Sequence, residues 1–402
     1  MSHKKILNYL YSLEAKKFRR NLKNMKLLLK KIGSPEKKLK FIHVTGTNGK
    51  GSVCAMLFSV LREAGFKVGM YTSPHLKRFN ERIQIGSKLI TNNEIVEYYL
   101  KLKPFLTNQT FFEITTAMAF LYFYEKKADY VVLEVGLGGR LDTTNVVKPL
   151  ASVITNVDIE HTEYLGNTIE EIAHEKAGII KKNTPAATGA EGKALKVIKS
   201  IAKQRHAPLS INEKYKKNKD GAFDIGNYKN LKLNFLKGGF QLQNTSIAIA
   251  AINILNKYCS LNISENNVKN GLKKAKWPGR FQFLKKNVLI DCAHNPNGFK
   301  ALTEEVKKLN YNKLILVIGI SNDKDIKKMI EIINPLADRF IITKAQHPKA
   351  AEPELISKYL KKEFKIINNP KKALDFAKKT ANMEDLILVA GSIFVVGEIL
   401  GK

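Results

Sequence analysis

Along this 402-residue chain the apolar residues follow two spacings. Short, nearly unbroken apolar runs at 41–44, 68–71, 129–135 and 151–157 predict buried strands of the parallel-sheet kind. Between them, apolar residues three and four apart predict helices. Val53, Met56, Leu57, Val60, Leu61 and Ala64 make one such face, which Gly65 ends. A long apolar helix runs from Phe111 to about Glu125, and Thr168-Ile169-Glu170-Glu171 is a capping box that opens another. Before all of these, residues 6–31 read as one or two Lys-rich helices with Leu22, Met25, Leu28 and Leu29 on one face, stopped by Gly33-Ser34-Pro35. The stretch 206–236 is poor in helix signals and reads as irregular strands with an exposed loop at 214–220, after which an Ala/Ile-rich helix covers 241–253. Trp277-Pro278-Gly279-Arg280-Phe281 then breaks the chain. Beyond it, apolar runs at 288–291, 314–319, 340–343, 364–367 and 386–390 alternate with helical stretches and predict a second sheet of βαβ type.

The polar residues collect where the predicted strands end. Gly46-Thr47-Asn48-Gly49-Lys50-Gly51-Ser52 joins the first strand to its helix. In that setting glycines let the backbone N–H groups surround an anion, the helix N-terminus adds partial positive charge, Lys50 reaches a terminal phosphate and Ser52 is placed to touch magnesium. The spacing departs from the general phosphate-loop form, with a glycine between Lys50 and Ser52. The second strand runs into Thr72-Ser73-Pro74-His75-Leu76, followed by Arg78-Phe79-Asn80-Glu81-Arg82-Ile83, which by itself reads equally as a solvated loop. Glu134 ends the third strand ahead of a glycine-rich turn, and a carboxylate beyond the carboxyl end of a strand is a candidate metal ligand. The fourth strand leads to 158–166 with His161, which alone would be an ordinary surface or core histidine. In the second sheet, 291–298 and Gly391-Ser392 occupy the same kind of position.

Composition narrows the class. A hydrophobic share of 44% with 26% charged residues is that of a globular enzyme with ample core material. No apolar run reaches the roughly 18 to 20 residues a bilayer span needs, and the first residues lack a signal-peptide core. The 3 cysteines, Cys54, Cys259 and Cys292, fit neither a disulfide framework nor a zinc spacing, so a reducing cytoplasm is expected. The net charge of +32 raises nucleic acid as a partner, but the lysines are spread along the chain without aromatic interleaving or a helix-turn-helix signal. A Lys-rich solvated surface that also attracts anionic substrates accounts for them, and no nucleic acid or membrane partner is expected.

Taken together, GTNGKGS at 46–52, TSPHL at 72–76, FNERI at 79–83, EVGLGGRLD at 134–142, HTEYLG at 161–166, EKAGI at 175–179, WPGRF at 277–281 and DCAHNP at 291–296 resemble folylpolyglutamate synthase and the bifunctional dihydrofolate synthase of the Mur ligase superfamily. The match runs in order over most of the chain. It implies an α/β fold: a phosphate-loop ATPase domain with a central, mostly parallel sheet at 1–283, and a Rossmann-like glutamate-ligase domain at 284–402. It further implies an ATP-dependent amide ligase that adds L-glutamate to dihydropteroate, to folates or to both through an acyl phosphate, working as a monomer with ATP and two magnesium ions.

By the same resemblance, Gly49, Lys50, Gly51 and Ser52 hold ATP phosphates; Ser73, Glu134 and His161 hold magnesium; and Lys176 is carried as a carbamate, with Lys50, Lys176 and His161 as the catalytic group. Asn244, Arg280, Asp291 and His294 match nucleotide contacts, Arg280 and Asp291 from the boundary and second domain, while Ser392 lies in a matching motif. Thr110, Phe111, Phe112 and Glu113, with Leu141, Asp142 and Thr143, match the pteroate pocket. Read without the family, Lys176 is an ordinary helix lysine able to pair with Glu175 or Glu171. Phe240, Cys292 and Lys349 depart from the family's usual histidine, glycine and arginine and bear on the glutamate and adenine contacts. Two rival readings are another Mur-type ligase acting on muramyl peptides, disfavoured because the chain before the loop is shorter than an ordinary domain, and a nucleic-acid-binding ATPase.

Overall fold

The computed structural model describes residues 2–14, 21–219 and 221–401. Part of the expected N-terminal helical stretch, 15–20, and Asp220 lie outside them. On either side of that gap the helices His3–Ser12 and Lys23–Lys31 are present, the second burying Met25, Leu28 and Leu29 as the spacing required.

The chain forms two compact units. The first comprises Met1–Asn234 and Leu242–Lys276, the second Phe235–Gln241 and Trp277–Lys402. The first unit is built on an 8-stranded sheet of β1 (Phe41–Thr45), β2 (Val68–Tyr71), β3 (Ile83–Ile85), β4 (Lys88–Leu89), β5 (Tyr130–Glu134), β6 (Ala151–Ile154), β7 (Ala186–Thr188) and β8 (Leu209–Ile211). Their order is β4-β3-β2-β5-β1-β6-β7-β8, with only the β3 and β4 pairings antiparallel. The strand that feeds the glycine loop therefore lies at the middle of the sheet, between β5 and β6. Its apolar residues are sealed on both faces, which is why it reads as a continuous apolar run rather than an alternating one. A small antiparallel sheet of β9 (Tyr215–Lys217), β10 (Phe223–Ile225) and β11 (Tyr228–Leu231) fills the stretch expected to be irregular strands.

Register turns topology into a site. Val44 on β1 stands level with Glu134 on β5, Tyr71 on β2 level with Leu133, and Thr45 level with Ile154 on β6. The carboxyl ends of β2, β5, β1 and β6 thus form one row, and the four polar clusters singled out in the sequence follow from that row. The helix Phe111–Glu125 covers one face, with Phe120 and Phe123 fully buried among Phe41, Val131 and Leu133.

The second unit carries a 6-stranded sheet, β12 (Gln282–Lys285), β13 (Val288–Ile290), β14 (Leu314–Ile318), β15 (Arg339–Ile342), β16 (Phe364–Ile366) and β17 (Leu386–Ala390), in the order β12-β13-β17-β14-β15-β16. All its pairings are parallel except β12 with β13. That exception corrects the expected boundary between 283 and 284. Gln282 and Phe283 pair with Ile290 and Leu289, and Phe281 belongs to this unit's core, so 277–283 fold with the second unit. Two local expectations also change. The helix expected over 241–253 spans Phe240–Cys259, and 78–83 is not a solvated loop: a short 3-10 helix, Phe79–Arg82, buries Phe79, Asn80 and Arg82.

Candidate active site

The glycine loop is held by the segment that follows β6. Thr47 N–H donates to the Asn156 carbonyl at 3.0 Å, Asn48 N–H to Asn156 Oδ1 at 2.8 Å, and Thr155 Oγ1 to the Asn48 carbonyl at 2.6 Å. Thr47 Oγ1 in turn accepts from Asp158 N–H at 3.0 Å. These clamps are legible only once β6 is seen to stop at Ile154 rather than run on to 157, which leaves 155–158 free to bond the loop. Gly49 begins the helix Lys50–Glu63 in the left-handed region, φ 82°, and a β-carbon there would come within 2.3 Å of Asn244 Oδ1. Only glycine meets both demands. Two residues expected at the nucleotide, distant in sequence, are thereby brought into contact. Lys50 Nζ lies over the loop, donating to the carbonyls of Gly46 and Thr47 at 2.9 and 3.1 Å.

On the neighbouring strands, Ser73 N–H donates to Glu134 Oε2 at 2.9 Å, and Glu134 is buried. A buried carboxylate beside a serine offers the hard oxygen donors that magnesium prefers, so these residues fit a divalent ion. His161 lies near Glu160, Nε2 to Oε1 at 3.5 Å, and stands in the left-handed region, φ 54°, just before the short helix Thr162–Leu165, with no side-chain cap on it. Among the described residues no cluster of three or more His, Cys, Asp and Glu side chains is placed to hold a metal, so any ion here draws on hydroxyl groups and ligand oxygens as well.

Lys176 is the penultimate residue of the helix Ile169–Ala177 and is 4% exposed. Burial, then the neighbouring Lys50 charge, lowers its pKa to about 7, against the opposing pull of Glu160. Nothing in the sequence singles out Glu160 by itself. Its signal was membership of the polar strand end that carries His161. The glycine turn after Glu134 rests on this helix: a β-carbon on Gly139 would lie 2.8 Å from the Glu175 carbonyl and 2.9 Å from that of Lys176. Arg140 N–H donates to the Glu175 carbonyl at 2.7 Å, and its guanidinium pairs with the Glu175 carboxylate at 2.7 Å. Glu175 therefore pairs with Arg140 rather than Lys176, and Glu171 caps the helix through Asn167 and Thr168 N–H.

The residues expected around a pteroate divide by role. Phe111 and Phe112 open the long helix, and Phe112 is half-buried with its ring 2.7 Å from where a Gly136 β-carbon would stand and 5.9 Å from the Tyr71 ring. Leu141 and Thr143 are likewise half-buried. Thr110 and Glu113, however, form a capping box, Thr110 N–H to Glu113 Oε2 at 2.8 Å and Glu113 N–H to Thr110 Oγ1 at 3.2 Å. Asp142 is buried with both oxygens in use: Oδ2 accepts from Leu137 N–H at 2.8 Å, and Oδ1 accepts from the N–H and hydroxyl of Thr144. Burial raises its pKa against those hydrogen bonds. Glu113 and Asp142 thus spend their carboxylate oxygens on the backbone of their own segments.

In the second unit Arg280, Asp291 and His294 cluster at the end of β13. Asp291 Oδ2 accepts from Phe281 N–H and Oδ1 from Ala293 N–H, each at 2.7 Å, tying the two motif segments together. Its pKa is raised by burial, with the Arg280 charge opposing. His294 Nδ1 lies 3.0 Å from the Cys292 carbonyl, and Ser392 caps the helix Ile393–Leu400.

Comparison with known proteins identifies the family and the fold. The Mur ligase middle domain family matches residues 44–252 and the Mur ligase glutamate ligase domain family residues 279–393. The chain is 36% identical over 407 residues to the dihydrofolate synthase/folylpolyglutamate synthase of Bacillus subtilis, covering 94% of each, and 33% identical to that of Escherichia coli, covering 98% of this chain and 94% of the relative. Among solved structures it matches E. coli FolC in complex with DHPP and ADP at a TM-score of 0.92 and 32% identity, covering 100% of this chain and 97% of that one. A bifunctional folylpolyglutamate synthase/dihydrofolate synthase with Mn, AMPPNP and L-glutamate bound matches at 0.90 and 29%, with the same coverage.

Proposed function

The chain belongs to the dihydrofolate synthase/folylpolyglutamate synthase family of the Mur ligase superfamily, and from that premise we propose that it joins L-glutamate to a pterin-linked carboxylic acid, dihydropteroate, a folate or both, at the expense of ATP. Joining a carboxylate to an amine in water is uphill, so the carboxylate oxygen first attacks the γ-phosphorus and ADP departs. Two anions must meet in that step, and Lys50, on the loop with Gly49, Gly51 and Ser52, supplies positive charge between them. The amine of glutamate then attacks the acyl phosphate: the C–N bond forms, the C–O bond breaks, phosphate leaves with the electron pair and the amine sheds a proton. The observation that supports this reading is the packing of Gly49 on Asn244, from which Lys50 opens its helix at the same strand ends that carry Ser73 and Glu134.

Ser73, Glu134 and His161 would hold magnesium, which when bound neutralises phosphate charge. Lys176 would serve as a carbamate. A pKa of about 7 leaves much of its amine neutral near neutral pH, and that amine adds to carbon dioxide with loss of a proton, turning a cation into an anionic oxygen donor. In the second unit, Arg280, Asp291 and His294 would contact the nucleotide, as their motifs imply. The enzyme works in the cytoplasm as a monomer, a placement consistent with three free cysteines and, among the described residues, no helix long and apolar enough to cross a membrane.

The test is a turnover assay with ATP, L-glutamate and either dihydropteroate or tetrahydrofolate. ADP release must require both the pterin acid and glutamate, and the product mass must grow by one glutamyl residue. ADP release indifferent to the pterin acid would overturn the reading.

A further inference from the structure

Arg82 is the feature of the first unit that the reaction as described leaves unused. It closes the short helix Phe79–Arg82, is 5% exposed, and forms no ion pair with any carboxylate among the described residues. Among the described residues its side chain has one hydrogen bond, Nε to His75 Nδ1 at 2.9 Å, and it lies over the Phe111 ring with the guanidinium carbon 5.0 Å from the centroid. Because guanidinium only donates, His75 Nδ1 accepts, so the histidine contributes no negative charge. Among the described residues the two terminal amino groups make no hydrogen bond, yet neither is among the polar atoms sealed without a partner.

A buried, unpaired cation is costly, and proteins keep one mainly where a ligand completes it. The surroundings point the same way. Tyr11 stacks on Phe111 at 5.9 Å and stands 6.2 Å from His75, while Phe79 meets Phe111 edge-on at 6.3 Å, so the guanidinium sits among aromatic rings with its terminal fork left over. Its place in the fold is equally specific. Thr72 N–H donates to the Arg82 carbonyl at 3.0 Å, one residue before Ser73, and Phe111 is the residue that opens the helix beside Phe112. The buried carboxylates of the adjoining segments are engaged elsewhere, Glu113 by Thr110 N–H, Glu134 by Ser73 N–H, and Asp142 by Leu137 and Thr144.

We infer that Arg82 is a binding residue that pairs through its terminal fork with a carboxylate of the pterin-linked acid, selecting the acid over uncharged analogues. Planar guanidinium matches carboxylate geometry in two parallel hydrogen bonds, which lysine cannot reproduce. The inference rests on the ligase reading above.

The test compares affinity for dihydropteroate and for its carboxamide, by calorimetry on the intact enzyme, in wild type, Arg82→Gln and Arg82→Lys. A charged hydrogen-bonded pair lost on one side weakens binding about ten- to a hundredfold. Arg82→Gln is therefore expected to weaken the acid by that factor, leave the carboxamide within about twofold, and leave KM for ATP unchanged, with Arg82→Lys intermediate for the acid. The acid-to-amide ratio cancels any loss of packing on Phe111. Equal weakening of both ligands, or no change in either, would overturn the inference. If Arg82→Gln does not fold, Arg82→Lys carries the comparison, and an unchanged acid-to-amide ratio there would count against it. Failure of the ligase reading looks different: the wild-type enzyme then releases no ADP in response to any pterin acid.

Discussion

Gly49 and Asn244 stand so close that the space for a β-carbon on the one is filled by the amide oxygen of the other, 2.3 Å away. Gly49→Ala is therefore expected to raise KM for ATP at least about tenfold, because it adds left-handed backbone strain of roughly 1 to 2 kcal/mol and displaces Asn244. Gly49→Ala combined with Asn244→Ala relieves the collision and leaves only the strain. Steady-state kinetics should show the double variant less impaired in KM than the two single losses added together.

On the proposed role of Lys50, Lys50→Ala withdraws a cation from the transferring phosphoryl group, together with two hydrogen bonds to the loop carbonyls of Gly46 and Thr47. Turnover should fall several-hundred-fold or more in a variant that still folds, as circular dichroism would show. Near-normal turnover in the folded variant would remove Lys50 from the reaction.

Lys176→Ala should lower kcat strongly, and short carboxylic acids such as acetate, able to enter the vacated space, should restore part of it. The acid side of the wild-type pH profile should also fall below about pH 7, where the buried amine takes a proton and stops capturing carbon dioxide, and added bicarbonate should oppose that fall. An intact-protein mass lacking the carbamate under mild conditions, together with full activity of Lys176→Ala, would exclude the modification.

His43 makes a separate prediction about stability. Its Nε2 lies 2.8 Å from Thr144 Oγ1, and since that hydroxyl donates its proton to Asp142 Oδ1, Nε2–H must be the donor. Its Nδ1 is sealed without a partner among the described residues. Burial, reinforced by Lys181, lowers its pKa from 6.5 to about 3. The unfolded chain then binds a proton that the folded one refuses, so this contribution is complete above pH 6.5 and is lost as pH falls toward 3, on the order of 5 kcal/mol over the window. His43→Gln keeps an N–H donor and cannot titrate. Its denaturation midpoint should match wild type near pH 7.5 and decline less steeply below pH 6.5.

Sequence alone carried the elements whose signals are local. The helix Phe111–Glu125 begins where the Thr110/Glu113 capping box requires, β2 covers the apolar run 68–71, and the glycine loop joins its strand to its helix with the bounds its residues announce. Side-chain spacing encodes such features because it acts over a few residues. The sequence could not say that charged Arg82 is buried, that β12 pairs back on β13 and moves the boundary, or that Glu113 and Asp142 spend their oxygens on backbone N–H groups. Nor could it seat Asn244 on Gly49 or Glu160 beside Lys176. Those relations join residues far apart in the chain and are fixed by the sheet register at β5, β1 and β6, where a one-residue slip would turn every side chain to the other face. The residue types at the strand ends named the chemistry, but burial, ion pairing and proximity came into being only when those ends were set in one row.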